Sequence, residues 1–578
     1  MRVIKIYLMR TILMIILLCI CSQGWTQEAG AEVLGASGIE TYRIVSDRSM
    51  YIVGEEINFR VFNQSPQSIK MMEWSSVFYL ELISPQGYSY ARAKFELDSL
   101  GVSSTIHVPE NLPSGIYYLK GYTRWMRNNG PETYVYLSVE IVNPYIRTVV
   151  PVDTTSTFSK IRMVNHPNQK SEGFITGNLP AKVETRSPVS LNLKKNESMF
   201  SVDCCVSVIR KGMQKAQWES LASTSQLGSE RMNHLPETRG ISLAGKVEFS
   251  QSGLPAPYAV VYISMMENER EFYCNFTDSA GRFHFAFPDQ YGENELFISA
   301  SHHTRDPIKL FVDQDFCKEF LLLPTYPLDV DAEDFELIRE MSDNVQIGIQ
   351  YYPGISLSSD TAPPGRDFFY GDPTSVIRFD DFIKLPTMEE YFSEVTPQVS
   401  IRKLNSGVRL RVLGDHPDLD IFPPLVMVDG VAIGKVESVL AVSPRLIKQI
   451  EIVEAPYIRG NITFGGIINI ISRNDDLGFI DLPESGLLAH YKMFNRNSPD
   501  KQSILPLEQR LPDLRNTLYW NPHVELKPGE NKIINFSTAD TKGEYEAIIR
   551  GYDALGNYFE ETIPFKVDPF STFSPSAY

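Results

Sequence analysis

Cysteine is scarce in this chain, with six among 578 residues, and no CxxC pair or histidine series accompanies the six. Such spacing excludes the common structural zinc sites. The signatures HExxH, GxSxG and GxxxxGK[ST] are also missing, which argues against the familiar metalloprotease, hydrolase and phosphate-binding chemistries. We therefore predict no enzyme activity, no catalytic residue, no metal site and no cofactor.

Long apolar runs are missing except at the N-terminus, where three basic residues precede the run Thr11–Cys21 and small or polar residues follow it. This order predicts a secretory signal peptide over 1–26. The run is too short to cross a hydrocarbon core of about 30 Å. We expect an exported chain with no integral membrane span after cleavage. Cys19 and Cys21 leave lipidation open as an alternative, although bulky residues precede both.

Positive charge is in deficit, with 54 Lys and Arg against 71 Asp and Glu and a net charge of −17. The deficit argues against nucleic acid and against an anionic membrane surface as partners. Aromatic residues are plentiful, with 28 Tyr and 32 Phe. Aromatic side chains are enriched in β-strands, and a chain of this length exceeds one hydrophobic core. The predicted fold class is mainly β and multidomain: tandem immunoglobulin-like β-sandwiches plus one small α/β domain.

Four cysteines remain after removal of the leader: Cys204, Cys205, Cys274 and Cys317. Cys204 and Cys205 are adjacent on a predicted strand, so their side chains should point to opposite faces. An oxidising compartment would permit a disulfide to Cys274 or Cys317. The sequence assigns no pairing, and burial as apolar residues is the other interpretation.

Two phrases in the N-terminal half carry a resemblance to a known family. Ser46–Phe62 (SDRSMYIVGEEINFRVF) joins a turn to an alternating strand, and Gly115–Asn128 (GIYYLKGYTRWMRN) repeats that pattern. Both resemble the macroglobulin-type β-sandwich domains of the alpha-2-macroglobulin family. A second unit containing Glu184–Leu193 (ETRSPVSLNL) resembles another domain of this kind. The Cys–Glu–Gln thioester of the protease-trapping members is missing, which argues against covalent trapping.

The next unit contains Thr277–Pro288 (TDSAGRFHFAFP), in which Asp278 and Gly281 form a turn and three phenylalanines alternate onto one face. It resembles the carboxypeptidase regulatory-like domain, a non-catalytic sandwich that precedes many TonB-dependent receptors.

The stretch Pro424–Arg473 indicates a small α/β sheet. An apolar run ends in Asp429-Gly430, which suits a tight hairpin. A short helix, an alternating strand and a β-branched strand opened by Gly465-Gly466 follow. The order resembles the plug domain of TonB-dependent outer-membrane receptors, which lies inside a barrel of about twenty-two strands. About 105 residues follow Arg473, too few for such a barrel, so we expect a plug-like domain without its own pore. Asp429, Gly430, Gly465 and Gly466 are the site residues predicted, as turn residues that shape a docking sheet.

The predicted domains, in chain order, are a signal peptide (1–26), a macroglobulin-type sandwich (41–145), a second macroglobulin-like sandwich (171–237), a carboxypeptidase regulatory-like sandwich (240–323), a helical connector and loop (332–384), a plug-like domain (385–475) and a C-terminal sandwich (516–567). This combination, with phrases such as LPTMEEYF and TLYWNP, resembles a group of Bacteroidota envelope proteins.

The resemblances imply a non-enzymatic binding protein of the cell envelope, in the periplasm or on a face of the outer membrane. The plug-like domain would dock to, or occlude, an outer-membrane barrel that another protein supplies, or would bind a different envelope protein. The alternative is a macroglobulin-like protease-binding or defence protein without a thioester.

Overall fold

The computed structural model describes residues 40–65, 74–152, 163–165, 175–196, 201–220, 233–266, 270–304, 306–328, 330–351, 368–404, 407–474, 477–495, 512–553 and 557–569. The predicted leader over 1–26, with Cys19 and Cys21, lies outside these residues. The described chain is mainly β and multidomain, which confirms the predicted fold class.

The strands of the N-terminal half, in chain order, are β1 Tyr42–Ser46, β2 Met50–Ile52, β3 Glu56–Asn63, β4 Val77–Ile83, β5 Ser89–Glu96, β6 Gly101–His107, β7 Gly115–Tyr122, β8 Val135–Val142, β9 Met163–Asn165, β10 Ile175–Asn178, β11 Lys182–Glu184, β12 Pro188–Lys195, β13 Val202–Arg210 and β14 Trp218–Ser220. The next are β15 Ile241–Phe249, β16 Val260–Met265, β17 Phe272–Phe276, β18 Arg282–Phe287, β19 Glu293–Ser301 and β20 Ile308–Val312.

The strands of the C-terminal half are β21 Ser375–Arg378, β22 Val399–Leu404, β23 Gly407–Val412, β24 Leu425–Val428, β25 Val431–Ala432, β26 Ile447–Val453, β27 Tyr457–Arg459, β28 Ile462–Phe464, β29 Ile467–Ser472, β30 Leu487–Lys492, β31 Thr517–Leu526, β32 Asn531–Ser537, β33 Gly543–Asp553 and β34 Tyr558–Asp568. The α-helices are α1 Ala332–Tyr351, α2 Met388–Glu390, α3 Asp418–Ile421 and α4 Val436–Leu440. Single 3-10 or π turns occupy Trp125–Asn129, Pro131–Thr133, Phe379–Asp381, Tyr391–Val395 and Pro444–Leu446.

The first sandwich consists of the sheets β1-β3-β6 and β5-β4-β7-β8-β14-β9, with β2 paired to β8. Its core is rich in tyrosine: the rings of Tyr79 and Tyr122 stack at 5.4 Å between centroids, and those of Tyr122 and Tyr134 stack at 4.7 Å. Strands β9 and β14 follow β8 in the sequence, beyond the predicted first domain. They nevertheless extend its sheet, since Glu219 of β14 pairs with Leu137 of β8. Part of the 171–237 stretch therefore extends the first sandwich.

The second sandwich is built from two distant parts of the chain, and here the structure differs from the predicted domains. Its sheets are β10-β12-β32 and β11-β34-β33-β13-β31. Strand β12 pairs along β32, and β13 lies between β31 and β33. The stretches 171–237 and 516–567 were predicted as two separate sandwiches. They instead contribute strands to the same two sheets. The physical reason is that apolar side chains of the earlier stretch, such as Leu191 and Val206, share one buried core with those of the later stretch, such as Val524 and Ile549.

The third sandwich consists of the sheets β18-β15-β20 and β17-β16-β19-β30. Phe283, Phe285 and Phe287 alternate into its core, as the sequence predicts. Its last strand, β30, comes from beyond the α/β domain and pairs with β19. The α/β domain (residues 375–472) is therefore an insertion between strands of the third sandwich.

Helix α1 packs against both the first and the second sandwich. It confirms the helix predicted from residue 332 onward. Asp331 accepts hydrogen bonds from the first-turn N–H groups of Glu333 and Asp334, which caps the helix. On this helix Met341 is fully buried, whereas Phe335 is 65% exposed.

Candidate docking region

The Asp429–Gly430 turn connects β24 to β25 as predicted. Asp429 has φ 48° and Gly430 has φ 83°, both in the left-handed region that a tight two-residue hairpin requires. The Asp429 N–H donates to the Ile470 carbonyl at 3.0 Å, and Asp429 Oδ1 accepts from the Ser472 N–H at 2.8 Å. The turn is thereby fixed to the end of β29.

A buried polar chain extends from this turn into the sheet. Asn469, which is fully buried, accepts from the Gly430 N–H at 3.2 Å and donates through Nδ2 to the Tyr370 hydroxyl at 2.8 Å. The Tyr370 hydroxyl donates to Glu451 Oε2 at 2.5 Å, and burial raises the pKa of Tyr370. Every link needs a partner, because an unsatisfied buried polar group costs about 1–3 kcal/mol. No local sequence pattern indicates these hydrogen bonds, because the residues that form them are far apart in sequence.

The Gly465–Gly466 pair opens β29, where the backbone is tightly packed. A Cβ on Gly465 would lie 2.1 Å from the Phe422 carbonyl oxygen. Gly466 has φ 89°, and a Cβ there would lie 2.7 Å from the Val453 carbonyl oxygen. The Gly466 carbonyl accepts from the Leu425 N–H at 3.0 Å. Glycine is therefore required by close approach at both positions and by conformation at the second.

The two predicted turns lie at opposite ends of the sheet. Strands β24 and β29 are parallel, with Leu425 paired to Ile467 and Val428 paired to Ile470. Asp429 and Gly430 follow the end of β24, whereas Gly465 and Gly466 precede the start of β29. The intervening four-residue strand separates them by roughly 13 Å at about 3.3 Å per residue. The four residues shape one sheet, and they do not form one site.

Both faces of this sheet are covered within the chain. One face packs its valines and isoleucines, such as Ile450 and Ile468, against the domain's own helical turns. The other face places Met427 and Ile467 against Phe272 of β17 in the third sandwich. The Phe272 ring also stacks on Phe369, at 5.2 Å between centroids.

The β27–β28 hairpin strengthens this joint between domains. Arg459 Nε donates to the Phe272 carbonyl at 2.7 Å, and its Nη2 pairs with Glu271 at 2.7 Å. Cys274 Sγ donates to the Arg459 carbonyl at 3.3 Å, and burial raises the pKa of this thiol to about 12. The α/β domain and the third sandwich therefore form a closely packed pair.

One end of the α/β sheet exposes large apolar side chains. Arg473 pairs with Asp380 at 2.6 Å and donates from its backbone to the Leu446 carbonyl. The hydrogen bond from Arg473 lowers the pKa of Asp380. Beside Asp380, Phe382 is 44% exposed and Ile383 is 87% exposed, while Leu446 is 40% exposed. We call Phe382, Ile383 and Leu446 the exposed end; it lies on the same end as the Asp429 turn.

The four cysteines among the described residues are all free and buried: Cys204, Cys205, Cys274 and Cys317. Cys204 packs in the core of the second sandwich, whereas Cys205 contacts the first sandwich beside Phe62, so the two side chains face opposite ways as predicted. Burial raises the pKa of both thiols. These are inert packing residues rather than nucleophiles.

In the part of the chain that the structure describes, no group of three or more His, Cys, Asp or Glu side chains is placed to hold a metal ion. None of the helices within those same ranges combines the length and apolar character needed to cross a bilayer.

A cavity of about 240 Å³ lies between the first and second sandwiches. Arg550, Tyr552 and Glu219 line it, together with Gln214 and Gln217. Arg550 bonds to the Ser46 carbonyl at 2.6 Å, which ties β33 to the first sandwich. The lining mixes both charge signs with amides and tyrosines, and it belongs to the joint between the two domains.

Comparison with solved structures returns bacterial alpha-2-macroglobulins among the matches. Salmonella alpha-2-macroglobulin reacted with methylamine aligns with 93% of this chain and 40% of that chain, at 10% identity and a TM-score of 0.23. The native conformation of E. coli alpha-2-macroglobulin aligns over the same shares at 8% identity and a TM-score of 0.23. Dimeric latent PorU from Porphyromonas gingivalis aligns with 49% of this chain and 34% of that chain, at 7% identity and a TM-score of 0.15.

The chain spans about two-fifths of the length of these macroglobulins. What the chain shares with these proteins is a β-rich, multidomain build. No family model matches the chain. No curated protein matches it either.

Proposed function

We propose that this protein is a non-enzymatic, exported binding protein of the cell envelope, and that its α/β domain docks to an outer-membrane barrel formed by another protein. The plug-like order of sequence elements between residues 385 and 475 motivates the partner class. The observation that carries the proposal is the exposed end, where Ile383, at 87%, is the most exposed large apolar side chain among the described residues.

The packing of the α/β domain restricts how such docking would occur. Its sheet is covered on one side by its own helical turns and on the other by the third sandwich. Entry into a barrel lumen would require separating Phe272 from Met427 and breaking the Arg459–Glu271 pair. Contact through the exposed end requires neither change. We therefore favour end-on docking over occlusion of the pore.

The test is recovery of the partner from the native envelope with the tagged mature protein. Replacing Ile383 by glutamate places a charge on the exposed end, and it should weaken barrel recovery roughly tenfold or more, since burying one such side chain is worth about 1.5–3 kcal/mol. Ile421→Glu is the matched control, because Ile421 is 68% exposed in the same domain near the Gly465 end.

Barrel recovery that falls with Ile383→Glu and persists with Ile421→Glu supports end-on docking. Equal recovery with both variants would refute the assignment of the exposed end. Recovery of proteases without any barrel protein would refute the proposal and favour the macroglobulin-like protease-binding alternative.

A further inference from the structure

A lysine is completely buried where the first sandwich meets the third. Lys94 on β5 has no exposed surface. Its Nζ lies 2.5 Å from Oδ2 of Asp315, which follows β20, and 3.9 Å from the ring centroid of Tyr491 on β30. The Lys94 carbonyl accepts from the Asn495 N–H at 2.7 Å, so the backbone around the pair is also held. Groups from three separate chain segments thus meet at one amine.

The surroundings of Lys94 offer an ammonium ion fewer hydrogen-bond acceptors than water does. An ammonium has three N–H donors, and here one carboxylate oxygen accepts, while the faces of Tyr491 and Phe316 give weaker cation–π contacts in other directions. Burial lowers the pKa of Lys94, because desolvation penalises the charged form. A neutral amine is the nucleophilic form of lysine.

The carboxyl group of Asp315 is held for reaction with that amine. The Tyr491 hydroxyl donates to Asp315 Oδ1 at 2.7 Å, which orients the carboxyl and polarises it. With Oδ2 at 2.5 Å from Nζ, the carboxyl carbon is at most one C–O bond further away. This is close to the separation of about 3–3.5 Å typical of near-attack geometry.

Glu237 completes the electrostatic setting. It is 4% exposed and accepts hydrogen bonds from the Ser242 N–H at 2.8 Å and the Tyr79 hydroxyl at 2.9 Å. Burial raises the pKa of Glu237. An ionised Glu237 would favour the charged form of Lys94, so a proton held by Glu237 removes one of the charges that favour the ammonium.

We propose that Lys94 and Asp315 join in an intramolecular amide bond. The Lys94 nitrogen attacks the Asp315 carboxyl carbon, the new C–N bond forms, and the C–O bond to Oδ2 breaks. The departing hydroxyl leaves as water with a proton from the nitrogen. Amine plus carboxylic acid thus becomes amide plus one water, with no oxidant or reductant. The product ties the first sandwich covalently to the third.

A second buried lysine–carboxylate pair in the same sandwich is a natural control. Lys120 Nζ lies 2.9 Å from Glu81 Oε1 and also donates to the Cys317 carbonyl at 3.0 Å. Lys120 and Glu81 are direct cross-strand partners on β7 and β4. With two oxygen acceptors instead of one, the Lys120 ammonium is better satisfied, and we expect it to remain an ion pair.

Intact mass spectrometry of the purified full chain under denaturing conditions tests the proposal. The expected mass is one water below that of the mature sequence. Protease digestion should then yield one branched peptide that joins Lys94 to Asp315, with no cleavage after Lys94. Lys94→Arg and Asp315→Ala should each restore the full mass, while Lys120→Arg and the neutral isostere Glu237→Gln should keep the deficit.

Because the measurement is made on denatured wild-type protein, it does not depend on whether any variant folds. A wild-type chain of full mass, with Lys94 and Asp315 recovered in separate linear peptides, would overturn the proposal. A water deficit located at a different residue pair would overturn it equally.

Discussion

The second sandwich and the α/β domain are built from similar β-branched strands, but they differ in how far apart the paired strands lie along the chain. The α/β sheet pairs β21, β26, β29, β24 and β25 from one contiguous stretch. The second sandwich pairs Val202–Arg210 with Thr517–Leu526 across an intervening segment longer than half of the chain. Pairing between nearby strands can be predicted from local sequence patterns. Pairing between distant strands cannot, because nothing near either strand identifies its partner.

The largest expected effect comes from removing the distant partners. A chain that ends at residue 515 loses β31–β34. Strand β12 then loses its neighbour β32, and β13 loses both of its neighbours, β31 and β33. We expect amide-exchange protection to collapse over 188–210, while the α/β domain keeps its protection over 425–472. Hydrogen exchange read by mass spectrometry measures both regions together. Unchanged protection over 188–210 would mean that this segment forms a sandwich without the C-terminal strands.

A smaller effect is expected from a single methyl group in the α/β domain. Gly466→Ala combines a left-handed φ of 89° with a Cβ 2.7 Å from the Val453 carbonyl oxygen. It should lower the free energy of unfolding of this domain by about 2 kcal/mol or more. Gly529→Ala is the matched control, because Gly529 has φ 73° but nothing within 4 Å of an added Cβ. Chemical denaturation compares the two. Equal losses would contradict the close approach at the start of β29.

The smallest effect on stability is expected at Glu237. This residue lies outside both regions, where the first sandwich meets the third. Because its folded-state pKa is raised, the native state holds this proton more tightly than the unfolded state does. Its contribution to stability is therefore full below the ordinary glutamate pKa of 4.5 and is lost as pH rises through the folded pKa. Tyr79, Ser242 and Arg124 are the groups that surround it.

Glu237→Gln should remove that pH dependence. The stability difference between wild type and the variant, followed by thermal melts from pH 4 to 8, should shift in favour of the variant as pH rises. A difference that stays constant with pH would contradict the assignment of a raised pKa to Glu237.

The sequence was informative wherever a pattern repeats within a few residues. The alternating strand in Ser46–Phe62 buries Ile57, Phe59 and Val61 on one face, and the segment Glu184–Leu193 does so with Val189, Leu191 and Leu193. The apolar run before Asp429-Gly430 forms β24. In the phrase LPTMEEYF, the Thr387 hydroxyl accepts from the Glu390 N–H at 3.2 Å, as a capping box requires.

Features made by distant residues could not be predicted from such patterns. Nothing local in β12 or β13 indicates that β32 or β31 covers them. Asn469 and Tyr370 are nearly a hundred residues apart in the chain, yet they share one hydrogen bond. The cover that β17 provides for Met427 likewise depends on an interdomain contact. Asp429 and Gly430 lie in a turn and Gly465 and Gly466 precede β29, while docking through this sheet stays a prediction. Phe382, Ile383 and Leu446 were not among the predicted residues, because they come from separate turns.

The most direct test of the docking account is cross-link mapping on the protein in its native envelope. An amine-reactive cross-linker should join Lys384, next to Ile383 at the exposed end, to a barrel-forming outer-membrane protein. Lys246, half-exposed on β15 of the third sandwich, should give no such cross-link. Cross-links to a barrel from Lys246 but not from Lys384, or from neither lysine, would contradict docking through the exposed end.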